Sequence, residues 1–211
     1  TSPLRVFLCG EGPNELGSRS GHPAYQSDKD PGVIQALLKR IQPEGWAVVG
    51  ALDWKRLPKL RARGPSPSES EQVARLMLMA EHDFGATVVA YTRGGDDETT
   101  ARREAHCDGV AKGAELSPSL AVVGEIAAPT IEGWILAMRG IRWTEEMSAR
   151  KASAELVRAG LQAKSTAELV QVVETCADLN DVPADAHGLR RWCDAARGAF
   201  VADSIDADSA G

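Results

Sequence analysis

The arrangement of short apolar segments constrains the fold of this 211-residue chain more than any other feature. Four such segments, each the length of one buried strand, lie at residues 4–9, 46–50, 86–91 and 120–124. Longer segments with apolar residues at helical spacing separate them, and no further strand pattern follows Pro129. Strands that alternate with helices are typical of a parallel sheet covered on both faces. We therefore predict an α/β fold with about four parallel strands and an all-helical C-terminal part.

The boundary between these two parts is expected near residue 140. Residues 1–140 contain all the predicted strands and form the predicted α/β domain. Residues 141–202 carry only helical patterns, so we predict a helical C-terminal extension there. Residues 203–211 contain three aspartates and two serines with one large apolar residue, and we predict a disordered tail.

Composition narrows the class of protein. Hydrophobic residues make up 43% of the chain and charged residues 26%, which fits a folded core. No stretch approaches the roughly 18 apolar residues of a membrane-spanning helix, so we expect no membrane partner. The four cysteines form no Cys-x-x-Cys pair, which argues against structural zinc and favours a reducing, cytoplasmic location. A net charge of −6 argues against a uniformly basic nucleic-acid coat.

Basic side chains concentrate in one part of this acidic chain. Between residues 35 and 64, seven lysines and arginines stand against two acids, whereas from residue 164 onward nine acids stand against four bases. A basic stretch on an acidic protein is a candidate contact for nucleic acid or for an acidic partner. The alternative is a solvated surface without a partner. The residues predicted for this contact are Lys55, Arg56, Lys59, Arg61 and Arg63.

Carboxylates follow the predicted strands. Glu11 and Glu15 come after the first strand, Asp96 and Asp97 come after the third, and Glu132 lies beyond the fourth. The carboxyl ends of parallel strands meet at one edge of a sheet, where α/β proteins place their chemistry. Carboxylate oxygens are the ligands that Mg²⁺ prefers, so the pattern indicates a metal site at this edge. The alternative is that these acids only stabilise helix N-termini.

Other reactive side chains favour no second site. The histidines lie on separate predicted elements without metal-ligand spacing, so we predict surface or helix-end positions for His22, His82, His106 and His187. Cys9 ends a buried strand and is expected to be inert core. Trp134 and Trp192 are expected to anchor the core of the helical part.

Three segments together resemble TOPRIM domains. Residues 9–15, Cys-Gly-Glu-Gly-Pro-Asn-Glu, are similar to the Glu-Gly loop after the first TOPRIM strand. Residues 88–97 occupy the place of the family's Asp-x-Asp strand end. Residues 123–137 are similar to the Ile-Glu-Ala-Trp-Leu-Leu-Ala signature of one uncharacterised TOPRIM-like family, often encoded beside ABC-type or AAA-type ATPases in anti-phage defence islands. The resemblance covers roughly residues 4–140.

This resemblance implies a Mg²⁺-dependent nuclease acting on DNA or RNA, as the effector of an anti-phage defence system. Glu11 would match the family's general acid/base. Metal ligation, by Mg²⁺ or Mn²⁺, would fall to Asp96, Asp97, Glu15 and Glu132. The resemblance also implies an ATPase subunit as partner, and it is compatible with self-association.

The chain departs from the TOPRIM pattern directly after the third strand. Thr92-Arg93-Gly94-Gly95 stands where the resemblance would place two aspartates, and Asp96 and Asp97 follow only later. An arginine at a metal position repels Mg²⁺ at short range. The alternative prediction is therefore a catalytically degenerate TOPRIM-like subunit that binds a partner ATPase or nucleic acid in a defence complex.

Overall fold

Four parallel strands form one sheet in the computed structural model, which describes residues 3–21, 26–57, 67–96 and 98–208, with side chains described up to residue 201. The strand order across the sheet is β2-β1-β3-β4, and every neighbouring pair is parallel. Strands β2, β3 and β4 each end three residues later than predicted. The strands are β1 (Leu4–Gly10), β2 (Trp46–Asp53), β3 (Val88–Gly94) and β4 (Ala121–Ala127). The predicted parallel sheet of four strands is confirmed.

Helices connect the strands and form all the regular secondary structure of the described residues after β4. The α-helices are α1 (Pro13–Leu16), α2 (Val33–Ile41), α3 (Glu69–Phe84), α4 (Thr99–Leu116), α5 (Ile131–Met138), α6 (Ala149–Arg158), α7 (Thr166–Thr175) and α8 (His187–Asp208). Short 3-10 turns lie at Gly17–Arg19, Trp54–Arg56 and Thr144–Glu146. Helix α8 therefore continues through six residues of the segment 203–211 that we predicted to be disordered. Among the described residues, no helix combines the length and apolar character that a membrane span requires.

Side chains of the strands alternate between two apolar cores, one on each face of the sheet. Val6 and Leu8 belong to the core that α2 and the helices α5 to α8 cover. Phe7 and Cys9 belong to the opposite core, which α3 covers with α4 packed on it. This alternation is the two-residue period of a strand. Helices therefore cover both faces, as predicted, and burial raises the pKa of the Cys9 thiol well above its usual value, as expected for an inert core cysteine.

The C-terminal helices share a core with the sheet. Trp134 of α5 and Trp192 of α8 are both fully buried, and their ring centroids lie 6.2 Å apart. The indole Nε1 of Trp192 donates a hydrogen bond of 2.9 Å to the backbone oxygen of Tyr91 in β3. The prediction that both tryptophans anchor the core is confirmed.

Two local predictions are wrong. An acid followed by proline is a typical helix start, so Asp30 and Pro31 predict that α2 begins there with Asp30 as its N-cap, but this helix begins at Val33 with Gly32 as its N-cap. The backbone oxygen of Asp30 instead accepts a hydrogen bond from Ser18. The second error concerns His106, which is buried on α4 with Nδ1 3.0 Å from the Tyr91 hydroxyl. Helix α4 is highly charged, and its sequence shows no apolar residues at helical spacing. The buried side of the helix, which includes His106, therefore could not be recognised from the sequence.

Candidate functional site

The order of the strands defines where a site is expected. The chain passes from β1 to β2 on one side of the sheet and returns to place β3 on the other side of β1. Open parallel sheets bind ligands outside the carboxyl ends of their strands, at the point where this reversal occurs. Glu11 directly follows β1, and Arg93 and Gly94 end β3. Glu11, Arg93 and Gly94 therefore meet at this switch point.

Arg93 joins two carboxylates across the switch point. Its Nη1 donates a very short hydrogen bond to Oε1 of Glu11, and its Nε donates to Oε1 of Glu69 at 3.0 Å. The guanidinium also lies 5.7 Å from the ring centroid of Trp54, within cation–π range. We call the group Glu11, Arg93 and Glu69 the arginine bridge. It is half-buried, since the Glu11 side chain is 33% exposed and that of Arg93 is 23% exposed.

Local structure fixes each member of the arginine bridge. Arg93 lies on a strand, in register with Ile126 of β4. Glu69 lies in the first turn of α3, which Ser68 and Glu71 begin with a capping box. The other oxygen of Glu11, Oε2, lies so close to Gly94 that a Cβ there would be 2.9 Å away. Any larger residue at position 94 would therefore displace the Glu11 carboxylate.

A cleft opens beside the arginine bridge. It measures about 390 Å³, and its lining residues are Glu11, Gly12, Pro13, Asn14, Glu15 and Lys164. The Nδ2 of Asn14 donates to Oε1 of Glu132 at 3.3 Å and to the backbone oxygen of Ala163 at 2.9 Å. The hydroxyl of Thr166 donates to Oδ1 of Asn14 at 3.2 Å. We call this cleft, together with Glu132, the carboxylate cleft. Its walls come from the loop after β1 with helix α1 and from the segment before α7.

Glu15 is the most strongly perturbed acid of the carboxylate cleft. It is 8% exposed. Burial, with smaller contributions from the carboxylates of Glu11 and Glu132, raises the pKa of Glu15 to about 8. Hydrogen bonds from the backbone amides of Glu15 and Gly12 act in the opposite direction. At neutral pH the Glu15 carboxyl is therefore mostly protonated and acts as a hydrogen-bond donor as well as an acceptor.

We expect the free energy of unfolding to fall as the pH rises from about 4.5 to about 8 because of Glu15. The pKa of Glu15 rises from 4.5 to about 8 on folding, so the folded protein holds a proton that the unfolded chain releases. The stabilising contribution is complete below the lower value and is lost as the pH passes the upper one. Urea denaturation of wild type and Glu15→Gln across this range measures the effect, and Glu15→Gln should lose this part of the pH dependence.

The matched control for this measurement is Glu104→Gln, because Glu104 is exposed on α4. This variant should follow the wild-type curve. A Glu15→Gln curve parallel to that of the wild type between pH 5 and pH 8 would show that Glu15 titrates normally in the folded protein.

Asp96 lies in a different cleft from Glu15. Its backbone is left-handed, with φ at 45°, and its Oδ2 lies 3.3 Å from Nη2 of Arg102. Residues from α4 and from the 3-10 turn Thr144–Glu146 line this second cleft of about 540 Å³ with Asp96. The structure therefore groups Glu11, Glu15 and Glu132 and places Asp96 apart from them. Asp97 lies outside the described residues.

The donor set suits Mg²⁺ only in part. Within the described residues, which leave out Asp97, no three acidic, histidine or cysteine side chains are arranged to hold a metal ion. Carboxylate oxygens favour Mg²⁺, but one oxygen of Glu11 is occupied by Arg93 and the other packs against Gly94. In this arrangement the residues around Glu11 fit a guanidinium and do not fit a divalent cation.

Glu125, the acid inside β4, is also paired with arginines. Its Oε2 lies 2.6 Å from Nε of Arg191, and its Oε1 lies 3.5 Å from Nε of Arg103. Arg103 in turn lies 2.9 Å from Oε2 of Glu145. These contacts connect β4 to α4, to α8 and to the turn Thr144–Glu146. Glu125 therefore fastens the helical extension to the sheet.

The predicted basic contact is described only in part. Lys55 and Arg56 lie on the 3-10 turn directly after β2, at the same edge of the sheet as Glu11, and both are exposed. The Nε of Arg56 lies 3.3 Å from Oδ2 of Asp53, which is fully buried and also accepts a hydrogen bond of 2.9 Å from the Ser20 hydroxyl. The remaining predicted contact residues, Lys59, Arg61 and Arg63, lie outside the described residues.

Sequence reasoning missed several residues of the site. Glu69 carried a usable signal, because the helix between β2 and β3 must begin at the carboxyl edge of the sheet. Asn14 and Lys164 carried no comparable signal. Their roles depend on the segment before α7 returning to the loop after β1, and nothing local in the sequence specifies this return.

Comparisons of the chain with protein-family models, with curated proteins and with solved structures found no match. The assignment to the TOPRIM class therefore stays a proposal that rests on the residues quoted above.

Proposed function

We propose that this chain is a catalytically degenerate TOPRIM-like subunit of a defence complex, which binds a partner ATPase or nucleic acid without cleaving it. The arginine bridge is the observation that supports this proposal. A general acid/base must reach the proton that it transfers. Glu11 instead has Oε1 bound to Arg93 and Oε2 packed against Gly94.

Electrostatics at the switch point support the same proposal. A divalent cation next to Glu11 would lie close to the Arg93 guanidinium, and like charges at such distances repel by several kcal/mol even at an effective dielectric constant of about 20. The bridge also fixes the loop after β1 to β3 and to the first turn of α3. A fixed edge with exposed Lys55 and Arg56 beside it suits recognition of an acidic partner or of phosphates.

The second candidate function is the Mg²⁺-dependent nuclease, and one observation favours it. Glu11, Glu15 and Glu132 lie close enough for the two other carboxylates to raise the pKa of Glu15. Clustered acids of this kind are common in sites that bind divalent cations. This function would require Arg93 to move away from Glu11.

We expect purified wild-type protein, alone and with the proposed partner ATPase, to leave plasmid DNA and RNA uncut in Mg²⁺ or Mn²⁺. Glu11→Gln removes the charge but keeps the size of the side chain and an oxygen that accepts the hydrogen bond from Arg93, so it should leave protection against phage unchanged. Gel assays of cleavage and phage plating efficiency measure the two effects, and co-purification with the ATPase tests binding.

Glu104→Gln again serves as the matched exposed control. Metal-dependent cleavage by the wild type and by Glu104→Gln, with a loss of about 10²–10⁴-fold in Glu11→Gln, would contradict the proposed function. It would support the Mg²⁺-dependent nuclease instead. Loss of phage protection in Glu11→Gln alone, with the fold intact by circular dichroism, would also contradict the proposal.

A further inference from the structure

Trp143 is exposed in an unusual backbone conformation. It lies between α5 and the turn Thr144–Glu146, and 53% of its surface is accessible to solvent. Its φ is 60°, in the left-handed region that bulky residues rarely adopt. Backbone strain of this kind persists only where the surrounding structure holds it, and it is concentrated at functional positions.

Neighbouring groups hold Trp143 in this conformation. Its backbone amide donates a very short hydrogen bond to Oδ2 of Asp185, and Oδ1 of the same carboxylate lies 3.4 Å from Nε of Arg142. The Arg142 guanidinium in turn lies 5.2 Å from the centroid of the Trp143 ring. The ring is therefore positioned before any partner binds, which lowers the entropy cost of binding.

The chain segment around Trp143 is basic although the protein as a whole is acidic. Arg139, Arg142, Arg150 and Lys151 are all exposed in residues 139–151, whose acids are Glu145 and Glu146. Arg142 is the one that contacts the ring, and it also pairs with Asp185. One of these acids, Glu145, is already paired with Arg103 and with the backbone amide of Gly188. Among the described residues, Arg139, Arg150 and Lys151 have no ion-pair partner. We call Arg139, Arg142, Trp143, Arg150 and Lys151 the Trp143 surface.

We propose that the Trp143 surface binds single-stranded nucleic acid, with an unpaired base stacked on Trp143 and phosphates bound by the surrounding basic side chains. A rigid exposed aromatic ring among cations is the combination that such binding requires. A duplex offers no free base face to the ring. The cleft that Asp96 and Glu145 line is acidic and repels phosphates, so the strand follows the basic side chains instead.

This inference rests on the proposed function, because it names the nucleic acid that the subunit would bind. Its residues are distinct from the arginine bridge, which allows the two proposals to fail separately. Cleavage that depends on Glu11 would contradict the proposed function and leave the Trp143 surface in place. Unchanged nucleic-acid binding without the Trp143 ring would contradict the Trp143 surface and leave the proposed function in place.

The test uses the full chain and fluorescein-labelled oligothymidylate and oligouridylate at low salt, with fluorescence anisotropy as the readout. Trp143→Gly removes the ring, and glycine adopts a φ of 60° without strain, so the fold should be preserved. We expect binding of this variant to weaken by about 5- to 150-fold, which is the range for loss of one stacked base. Trp143→Phe should retain most of the affinity.

Two further variants sharpen the result. Arg139→Ala should lower the slope of log affinity against log salt by about 0.7, the value for one phosphate contact on a single strand. Val157→Ala removes another exposed apolar side chain of the helical extension and should bind as the wild type does. Equal affinity of Trp143→Gly and wild type, stronger binding of duplex than of single strands, or no binding of either oligonucleotide would overturn the proposal.

Discussion

Replacing Trp192 with alanine is expected to lower the free energy of unfolding by about 3 to 5 kcal/mol. Trp192 is fully buried, its ring contacts that of Trp134, and its Nε1 donates to the backbone oxygen of Tyr91 at 2.9 Å. The substitution leaves a large cavity and removes one hydrogen bond to a buried carbonyl group. Domains of ordinary stability have about 5 to 15 kcal/mol in total, so the loss is a large share of the free energy of unfolding.

Urea denaturation followed by circular dichroism measures the effect of Trp192→Ala. Trp192→Phe separates packing from hydrogen bonding, because it keeps most of the apolar volume and loses only the Nε1 donor. The control is Val201→Ala on the same helix, where the side chain is 57% exposed and the change should stay within about 0.5 kcal/mol. A loss below about 1 kcal/mol in Trp192→Ala would mean that α8 contributes little to the core of the sheet.

Gly32→Ala is expected to destabilise the protein by about 3 kcal/mol or more, at or above the upper end of the range for overpacked sites. A Cβ at position 32 would lie 2.2 Å from the backbone oxygen of Glu15 and 2.4 Å from the backbone nitrogen of Leu16. These are backbone atoms, which cannot rotate away as a side chain does. The start of α2 and helix α1 would therefore have to separate, and Glu15 would move with α1.

Gly198→Ala is the matched control, because the Cβ that it adds meets no described atom within 4 Å other than its chain neighbours and the backbone of its own helix. Alanine in the interior of α8 should stabilise the protein by about 0.5 to 1 kcal/mol. Thermal unfolding of both variants gives the comparison. Similar melting temperatures for Gly32→Ala and wild type would show that α1 and α2 are not packed backbone to backbone.

The sheet was predictable because its signal is local. A short apolar run in the sequence indicates each strand, and the helical patterns between these runs predict that the strands are parallel. The last residues of the strands were not predictable in this way. Thr92, Arg93 and Gly94 continue β3 only because Glu125, Ile126 and Ala127 of β4 lie beside them in register. A ladder of this kind extends strands through polar residues that have no strand pattern of their own.

The candidate site was predictable to a smaller extent. The meeting of Glu11, Glu15 and Glu132 follows from the rule that strand ends share one edge of a sheet. The pairing of Arg93 with Glu69 depends on the position of the first turn of α3, which a propensity argument places only approximately. The position of Lys164 in the cleft could be predicted only from the tertiary packing, because about 150 residues separate it from Asn14 in the sequence.

The contacts of Asn14 also decide which fragment of this protein is useful in the laboratory. A chain shortened to residues 1–140 keeps the whole sheet and Glu11. It loses Ala163 and Thr166, which fix Asn14, and Lys164, which forms one wall of the cleft. It also loses α6, α7 and α8, which cover one apolar face of the sheet. Such a fragment would aggregate or present an altered cleft, so binding and cleavage results obtained with it would not describe the intact protein.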